Sequence, residues 1–173
     1  NHFPVISRSS SVGYGRYADF AVSLAGTNFS TTTYADRVAI FQQILSQKIH
    51  GIAYSPYMDG QSPGTEISEQ QILERLNIIK PYTNWVRTFS CIEGNQHTPG
   101  IAHENGLKTM VGVGLGDDPE KNEIEFENAL EIARAGHANI LAVGNEVLLR
   151  GDLSEDELLD YIERAKKAAP GIP

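Results

Sequence analysis

The chain has 173 residues, which is room for one sizeable hydrophobic core and fits a single compact domain better than two. It carries 14 Lys and Arg residues against 22 Asp and Glu residues, for a formal net charge of −8 at pH 7. This acidic balance, without a basic cluster, argues against a nucleic-acid surface and favours a neutral partner.

The first part of the chain has little regular patterning. It begins with a Ser/Gly/Tyr-rich stretch, followed by a possible hairpin at 22–29 and a helix predicted over 34–47. We treat residues 1–48 as a separate N-terminal segment and assign it no function.

From residue 51 onward, short apolar runs alternate with helical patterns. This alternation is typical of parallel strands joined by crossover helices, and it predicts an α/β fold with about four β/α units over residues 49–173. The predicted strands are 51–57, 85–91, 108–115 and 140–147. The predicted helices are 68–82, 96–105, 118–136 and one that begins at 154.

Three of the helix starts have clear capping signals. Ser68 with Gln71, and Ser154 with Glu157, have the spacing of a capping box, in which each side chain binds the other's backbone amide. Asp118 stands before a proline, and a carboxylate there satisfies exposed amides of the first turn. These signals predict where the helices begin.

The strongest local signal is the run at 140–147, an apolar strand that ends in Asn145 and Glu146. Barrel enzymes place their catalytic groups at the C-terminal ends of parallel strands, so this amide and carboxylate mark a candidate active site. The alternative for Glu146 is a strand-end carboxylate that is satisfied by backbone or arginine partners.

Other kinds of site have weaker support. Cys91 is the single cysteine, so the chain has no second thiol for a disulfide or thiolate metal site, and we expect Cys91 to be a packed strand residue. The glycine-rich run at 112–116 is followed by Asp117 and Asp118, whose charges would repel a pyrophosphate. The histidines lack ligand spacing, and no apolar run is long enough to span a membrane. We therefore expect no metal, no cofactor and no membrane span.

The run at 140–147 resembles strand 4 of family 17 glycoside hydrolases. Residues 51–57 (GIAYSPY) and 86–90 (VRTFS) resemble the first and second strands of that family, in the same order. The runs YSPY at 54–57 and VGNEVLLR at 143–150 are most similar to the bacterial branch. The resemblance covers about 49–173 and implies a (β/α)8 barrel of the TIM type that acts on β-1,3-glucan.

The resemblance also implies roles for individual residues. Glu146 would be the general acid/base, Asn145 would hydrogen-bond a sugar 2-hydroxyl, Tyr54 would line the sugar site, and Arg87 would lie beside the nucleophilic carboxylate. For Arg87 the alternative is an ordinary barrel salt bridge.

Two more residues are candidate substrate contacts. Tyr57 lies in the same run as Tyr54, and both tyrosines could instead pack against loops. Glu93 follows the second strand, and we expect it to be the only other carboxylate on the same face as Glu146.

Family 17 barrels take their nucleophile from strand 7, and a (β/α)8 barrel typically needs about 250 residues. We therefore expect a half-barrel whose nucleophile lies outside this chain, from a retaining hydrolase or transglycosylase of β-glucan oligosaccharides or polysaccharides. On this hypothesis the fragment alone is inactive, and the family resemblance implies an extracytoplasmic location.

Two alternatives stay open. One is a non-catalytic sugar-binding or assembly module that self-associates or pairs with a complementing C-terminal half-barrel. The other is a complete small α/β protein in which the strand at 140–147 only imitates the family and residues 1–50 supply further strands.

Overall fold

The computed structural model describes Leu24 and residues 26–173. The chain divides into two compact units, residues 1–49 and residues 50–173. The hairpin predicted at 22–29 lies partly outside the described residues, and the residues of this stretch that are described form turns and irregular backbone.

The first unit contains helix α1, Tyr34–Ser46, where the sequence predicts a helix over 34–47. The Thr33 hydroxyl accepts a hydrogen bond from the Asp36 amide, and the Asp36 carboxylate accepts one from the Thr33 amide. This reciprocal cap explains the start of the helix. None of the residues of α1 is buried.

The second unit is built on a four-stranded sheet. Its strands are β1 (Ile49–Ala53), β2 (Thr83–Arg87), β3 (Lys108–Val113) and β4 (Ile140–Val143). They lie in the order β1-β2-β3-β4, and β2 with β3 and β3 with β4 pair in parallel. The register places Val86 beside Thr109 and Val111 beside Leu141. The predicted alternation of strands and crossover helices is confirmed.

Five helices accompany these strands. They are α2 (Glu69–Ile79), α3 (Thr98–Glu104), α4 (Pro119–Arg134), α5 (Val147–Arg150) and α6 (Glu155–Ala168), with a 3-10 turn at Asn95–His97 before α3. The short helix α5 was not predicted. None of the helices in the described part of the chain has the length and apolarity that a membrane span requires.

Every strand ends earlier than its apolar run. Cys91, expected in a strand, lies in a bend after β2, where it is fully buried and its thiol donates to the Gly112 carbonyl at 3.3 Å. Val147 is buried too, but as the first residue of α5. Both residues belong to the core cluster that contains residues of α4 and α6, so apolar character alone does not mark the end of the strand pairing.

Two of the three predicted helix caps are confirmed. Ser154 and Glu157 form the full reciprocal capping box of α6. The Asp118 carboxylate accepts from the backbone amides of Glu120 and Lys121 at the start of α4.

The third cap, at α2, is only half of the predicted box. The Ser68 hydroxyl accepts from the Gln71 amide. The Gln71 side chain does not return to Ser68; it donates to the Pro56 carbonyl at 2.9 Å and to Gln61 at 2.6 Å. Gln71 therefore links α2 to the loop after β1 and does not close the capping box.

The described residues form two hydrophobic core clusters. The first joins β3 to α4 and α6, and the Phe126 and Tyr161 rings meet edge to face in it with centroids 5.5 Å apart. The second joins β2 to α2 and α3 around Ile72, Leu76 and Val86, each 0% exposed. Helices α2, α3, α4 and α6 thus pack against the sheet. The carboxyl ends of the strands lead into loops.

Candidate functional site

A cavity of about 710 Å³ lies at the carboxyl ends of the strands. The stretch that follows each strand contributes to its walls: Tyr54 after β1, Phe89 after β2, Leu115 after β3 and Asn145 after β4. This is the edge of a parallel β/α sheet where active sites are built.

Asn145 is held at this edge by two arginines. Arg87 Nη2 donates to the Asn145 side-chain oxygen at 2.7 Å. Arg150 Nη1 donates to the Asn145 backbone carbonyl at 2.7 Å, and Arg150 is itself paired with Asp152 at 2.6 Å. Both the side chain and the backbone of Asn145 are therefore fixed.

The guanidinium of Arg87 includes a buried donor without a partner among the described residues. Its guanidinium carbon lies 4.8 Å from the centroid of the Phe89 ring. Its Nε is buried and has no hydrogen-bond partner among the residues that the structure describes. A buried unpaired donor is costly, and this cost makes Arg87 a candidate for a functional contact.

Glu146 directly follows Asn145 and is exposed. Its backbone is in the left-handed region, with φ of 57°, a conformation that costs a non-glycine residue about 1–2 kcal/mol. Gly144, two residues earlier, is also left-handed, with φ of 78°. Among the described residues, the walls of the cavity include Asn145 but not Glu146. The chain therefore turns after β4 and leaves Glu146 exposed, next in sequence to a residue of the cavity wall.

The two tyrosines contribute differently. Tyr54 is 6% exposed, its hydroxyl donates to the Ile72 carbonyl at 3.1 Å, and burial raises its pKa. Tyr57 is half-buried, and its hydroxyl accepts a hydrogen bond from Asn95 Nδ2 at 3.4 Å. Both line the cavity, but the Tyr54 hydroxyl is engaged with α2.

Glu93 also lines the cavity. One of its carboxylate oxygens accepts from the Gly64 amide at 2.6 Å, and the other lies 3.3 Å from Lys121 Nζ. Glu93 thus joins the loop after β1 to α4.

Glu125, a carboxylate of α4 that was not predicted from the sequence, lines the same cavity, so the expectation that Glu93 is the only other carboxylate there was wrong. Glu125 is 1% exposed and accepts hydrogen bonds from the Ser90 hydroxyl and from the amides of Cys91 and Gly114. Burial raises its pKa, and these three hydrogen bonds oppose that effect.

A signal for Glu125 was present in the periodicity of α4. The buried face of this helix contains Phe126, Ala129 and Ala133, and the same face carries Asn122 and Glu125. Polar residues on an otherwise apolar face need specific partners, and that requirement marks them as candidates for a site.

The cavity combines aromatic rings with amide and hydroxyl groups, and its charged side chains are two of each sign: Glu93 and Glu125, with Lys121 and Arg150. Such walls suit a neutral ligand that has both apolar faces and many hydroxyl groups. The described residues contain no cluster of three or more His, Cys, Asp or Glu side chains that could hold a metal ion.

A family profile described as the BtgE/BtgC glycoside hydrolase domain matches residues 51–172, which is more than half of the chain. The chain belongs to the BtgE/BtgC glycoside hydrolase domain family. The matched residues include all of the cavity walls named above. Comparison with curated proteins returns no match.

Two solved structures are similar to this glycoside hydrolase domain. One is a glycoside hydrolase family 17 β-1,3-glucanosyltransferase from Rhizomucor miehei, with a TM-score of 0.58, and the other is an active-site mutant of the Rhizomucor miehei β-1,3-glucanosyltransferase in complex with laminaritriose, with a TM-score of 0.57. Each is 28% identical and covers 70% of this chain and 46% of its own. The chain therefore spans about half the length of these enzymes, and the predicted α/β fold class is confirmed.

Proposed function

We propose that the protein containing this domain hydrolyses or transfers β-1,3-linked glucan by a retaining mechanism, with Glu146 as the general acid/base. The observation that carries the proposal is the position of Asn145 and Glu146. They follow a parallel strand of a glycoside hydrolase domain, beside a cavity, and two arginines hold Asn145. The similarity to an enzyme bound to laminaritriose supports β-1,3-glucan as the substrate class.

In a retaining mechanism, one carboxyl group attacks the anomeric carbon while a second, about 5–5.5 Å away, protonates the departing oxygen. We assign the second role to Glu146. We place the nucleophile outside these four strands, and the greater length of the similar enzymes supports this placement. The unpaired Nε of Arg87 is a donor that such a carboxylate could accept from.

We infer that residues 49–173 form half of a (β/α)8 barrel and that residues 1–48 form a separate N-terminal segment. The start of the family match at residue 51 supports this boundary. The closer similarity to the bacterial branch and the extracytoplasmic location stay predictions.

A second candidate function is a sugar-binding or assembly module without turnover. It is favoured by β1, which stands at one end of the strand order among the described residues and exposes Gly51, Ile52 and Ala53, where another chain or a complementing half-barrel could pair. This module would hold laminaritriose without cleaving it.

Replacing Glu146 with Gln in the whole protein tests the main proposal, with turnover of laminarin oligosaccharides as the measurement. We expect turnover to fall by roughly 100-fold or more, as is typical for the loss of a general acid. Glu155→Gln is the control: it removes the same charge from an exposed residue in the first turn of α6 and should keep wild-type turnover. Undiminished turnover in Glu146→Gln would contradict the assignment, and binding without turnover in the wild type would favour the second function.

A further inference from the structure

Helix α4 carries three polar residues spaced three apart: Asn122, Glu125 and Asn128. Asn122 and Glu125 are 2% and 1% exposed, and Asn128 is half-buried. We call these three residues the α4 polar row. All three bind backbone atoms of the loops that follow β2 and β3.

The two asparagines at the ends of the row bind one loop each. Asn122 accepts from the Gly116 amide at 2.7 Å and donates to the Gly116 carbonyl at 2.8 Å. Asn128 donates to the Cys91 carbonyl at 2.7 Å. Asn122 therefore holds the loop after β3, and Asn128 holds the loop after β2.

Glu125, at the centre of the row, binds both loops at once. Its Oε1 meets the Ser90 hydroxyl, and its Oε2 accepts from the Cys91 amide at 2.6 Å and from the Gly114 amide at 3.2 Å. A Cβ on Gly114 would lie only 2.7 Å from Oε1, so this approach requires a residue without a side chain. One carboxylate thus links the ends of two neighbouring strands.

A packing role does not account for this arrangement. Taking a carboxylate out of water costs free energy that an apolar residue at the same place would not cost. The cost is offset only because the donors are in place, and those donors belong to loops that form the walls of the cavity, including Phe89, Ser90 and Gly114.

We propose that the α4 polar row, with Glu125 at its centre, is a positioning device that fixes the loops after β2 and β3 and so preforms one wall of the glucan site. This proposal deepens the proposed function and rests on it for the identity of the ligand. Glu125 is a positioning residue here: it acts on the sugar through the backbone that it holds.

The test compares Glu125→Gln with Glu127→Gln in the whole protein. Glu127 is an exposed residue of the same helix, so its replacement changes charge by the same amount away from the loops. Gln keeps the size of Glu125 but offers one acceptor oxygen in place of two. We expect the Cys91 and Gly114 amides to exchange with solvent roughly tenfold faster in Glu125→Gln, and the affinity for laminaritriose to fall roughly tenfold. Both quantities should stay at wild-type values in Glu127→Gln.

A further control separates positioning from loss of stability. Leu130→Val removes one core methylene from the same helix and leaves the α4 polar row intact, so it should lower the unfolding temperature and keep the affinity for laminaritriose. If Glu125→Gln does not fold, Asn128→Ala is the second variant, and it should speed exchange at Cys91 and weaken binding.

The outcomes distinguish the two proposals. Wild-type exchange rates in folded Glu125→Gln, or in Asn128→Ala where that variant is used, would overturn the positioning device, as would faster exchange with unchanged laminaritriose affinity. If the wild-type protein itself does not bind laminaritriose, the proposed function fails. Faster amide exchange in the variants would then still show that the α4 polar row fixes the two loops.

Discussion

Arg87 and Asn145 are joined by a hydrogen bond of 2.7 Å between Nη2 and Oδ1, although they come from strands that are not neighbours. Arg87 is the last residue of β2, and Asn145 lies just beyond the end of β4. Because β3 lies between those strands, this bond spans the sheet at its carboxyl edge. It fixes the residue that precedes Glu146.

We expect Arg87 and Asn145 to be energetically coupled. In a double-mutant cycle of Arg87→Ala and Asn145→Ala, urea unfolding should give a coupling free energy of about 1–2 kcal/mol, since the bond has a charged donor and is partly buried. A cycle of Arg87→Ala with Ser154→Ala, whose hydroxyl caps α6 and bonds to Glu157, should be additive to within about 0.5 kcal/mol. Additivity of the first pair would show that the bond contributes nothing to stability.

The two cavity tyrosines should respond differently to loss of the hydroxyl. Tyr54→Phe removes the buried bond to the Ile72 carbonyl, so the free energy of unfolding should fall by about 1 kcal/mol while the affinity for laminaritriose stays the same. Tyr57→Phe is the companion variant, and its half-buried hydroxyl should contribute less to stability. Chemical denaturation measures the free energy of unfolding, and calorimetric titration measures the affinity for laminaritriose. A large loss of affinity in Tyr54→Phe would mean that its hydroxyl leaves Ile72 to bind sugar.

Gly94 should tolerate no side chain. Its φ is 82°, and a Cβ at this position would overlap the Ile67 backbone. Gly60 has a similar φ of 84° with nothing within 4 Å of the corresponding Cβ, which makes it a matched control. We expect Gly60→Ala to lower the free energy of unfolding by about 1 kcal/mol, the cost of the left-handed backbone alone. Gly94→Ala should lower it by several times as much, and equal losses would contradict the steric argument.

Glu125 should make stability depend on pH. Its pKa is raised, chiefly by burial, so the fold favours its protonated form. The stability that this preference contributes is fully present below the ordinary pKa of a glutamate, and it is lost as pH rises through the raised value. The free-energy difference between wild type and Glu125→Gln should therefore favour the wild type most at acid pH and shrink as pH increases.

Two groups near Glu125 bear on this titration. Lys121 lowers the pKa of the carboxyl, and the pKa of the buried Cys91 thiol is itself raised, chiefly by its own burial and also by Glu125. Urea unfolding from about pH 4 to about pH 8 would measure the difference, with Glu127→Gln as the control. A difference that grows with pH would show that the hydrogen bonds outweigh burial.

Local features of the sequence were enough to place the four strands and four of the five helices of the second unit, but not the short helix α5. The Ser154 and Asp118 caps, and the period of apolar residues in each helix, act within a few positions of the chain, and these helices start where predicted. The order of alternating strands and helices likewise predicted the parallel sheet. The resemblance to glycoside hydrolases also rested on a local pattern, an apolar run that ends in the adjacent residues Asn145 and Glu146. The chain belongs to such a family.

Tertiary structure alone decided where the strands end and what surrounds the site. Cys91 and Val147 are as apolar and as buried as strand residues, and only the backbone, a bend at Cys91 and a helix at Val147, distinguishes them. The side chain of Glu125 is bound by Ser90 and Cys91, 35 and 34 positions away, and Arg87 reaches Asn145 across 58 positions. Periodicity and capping extend over one or two turns, so contacts at such separations depend on how the sheet brings the ends of its strands together.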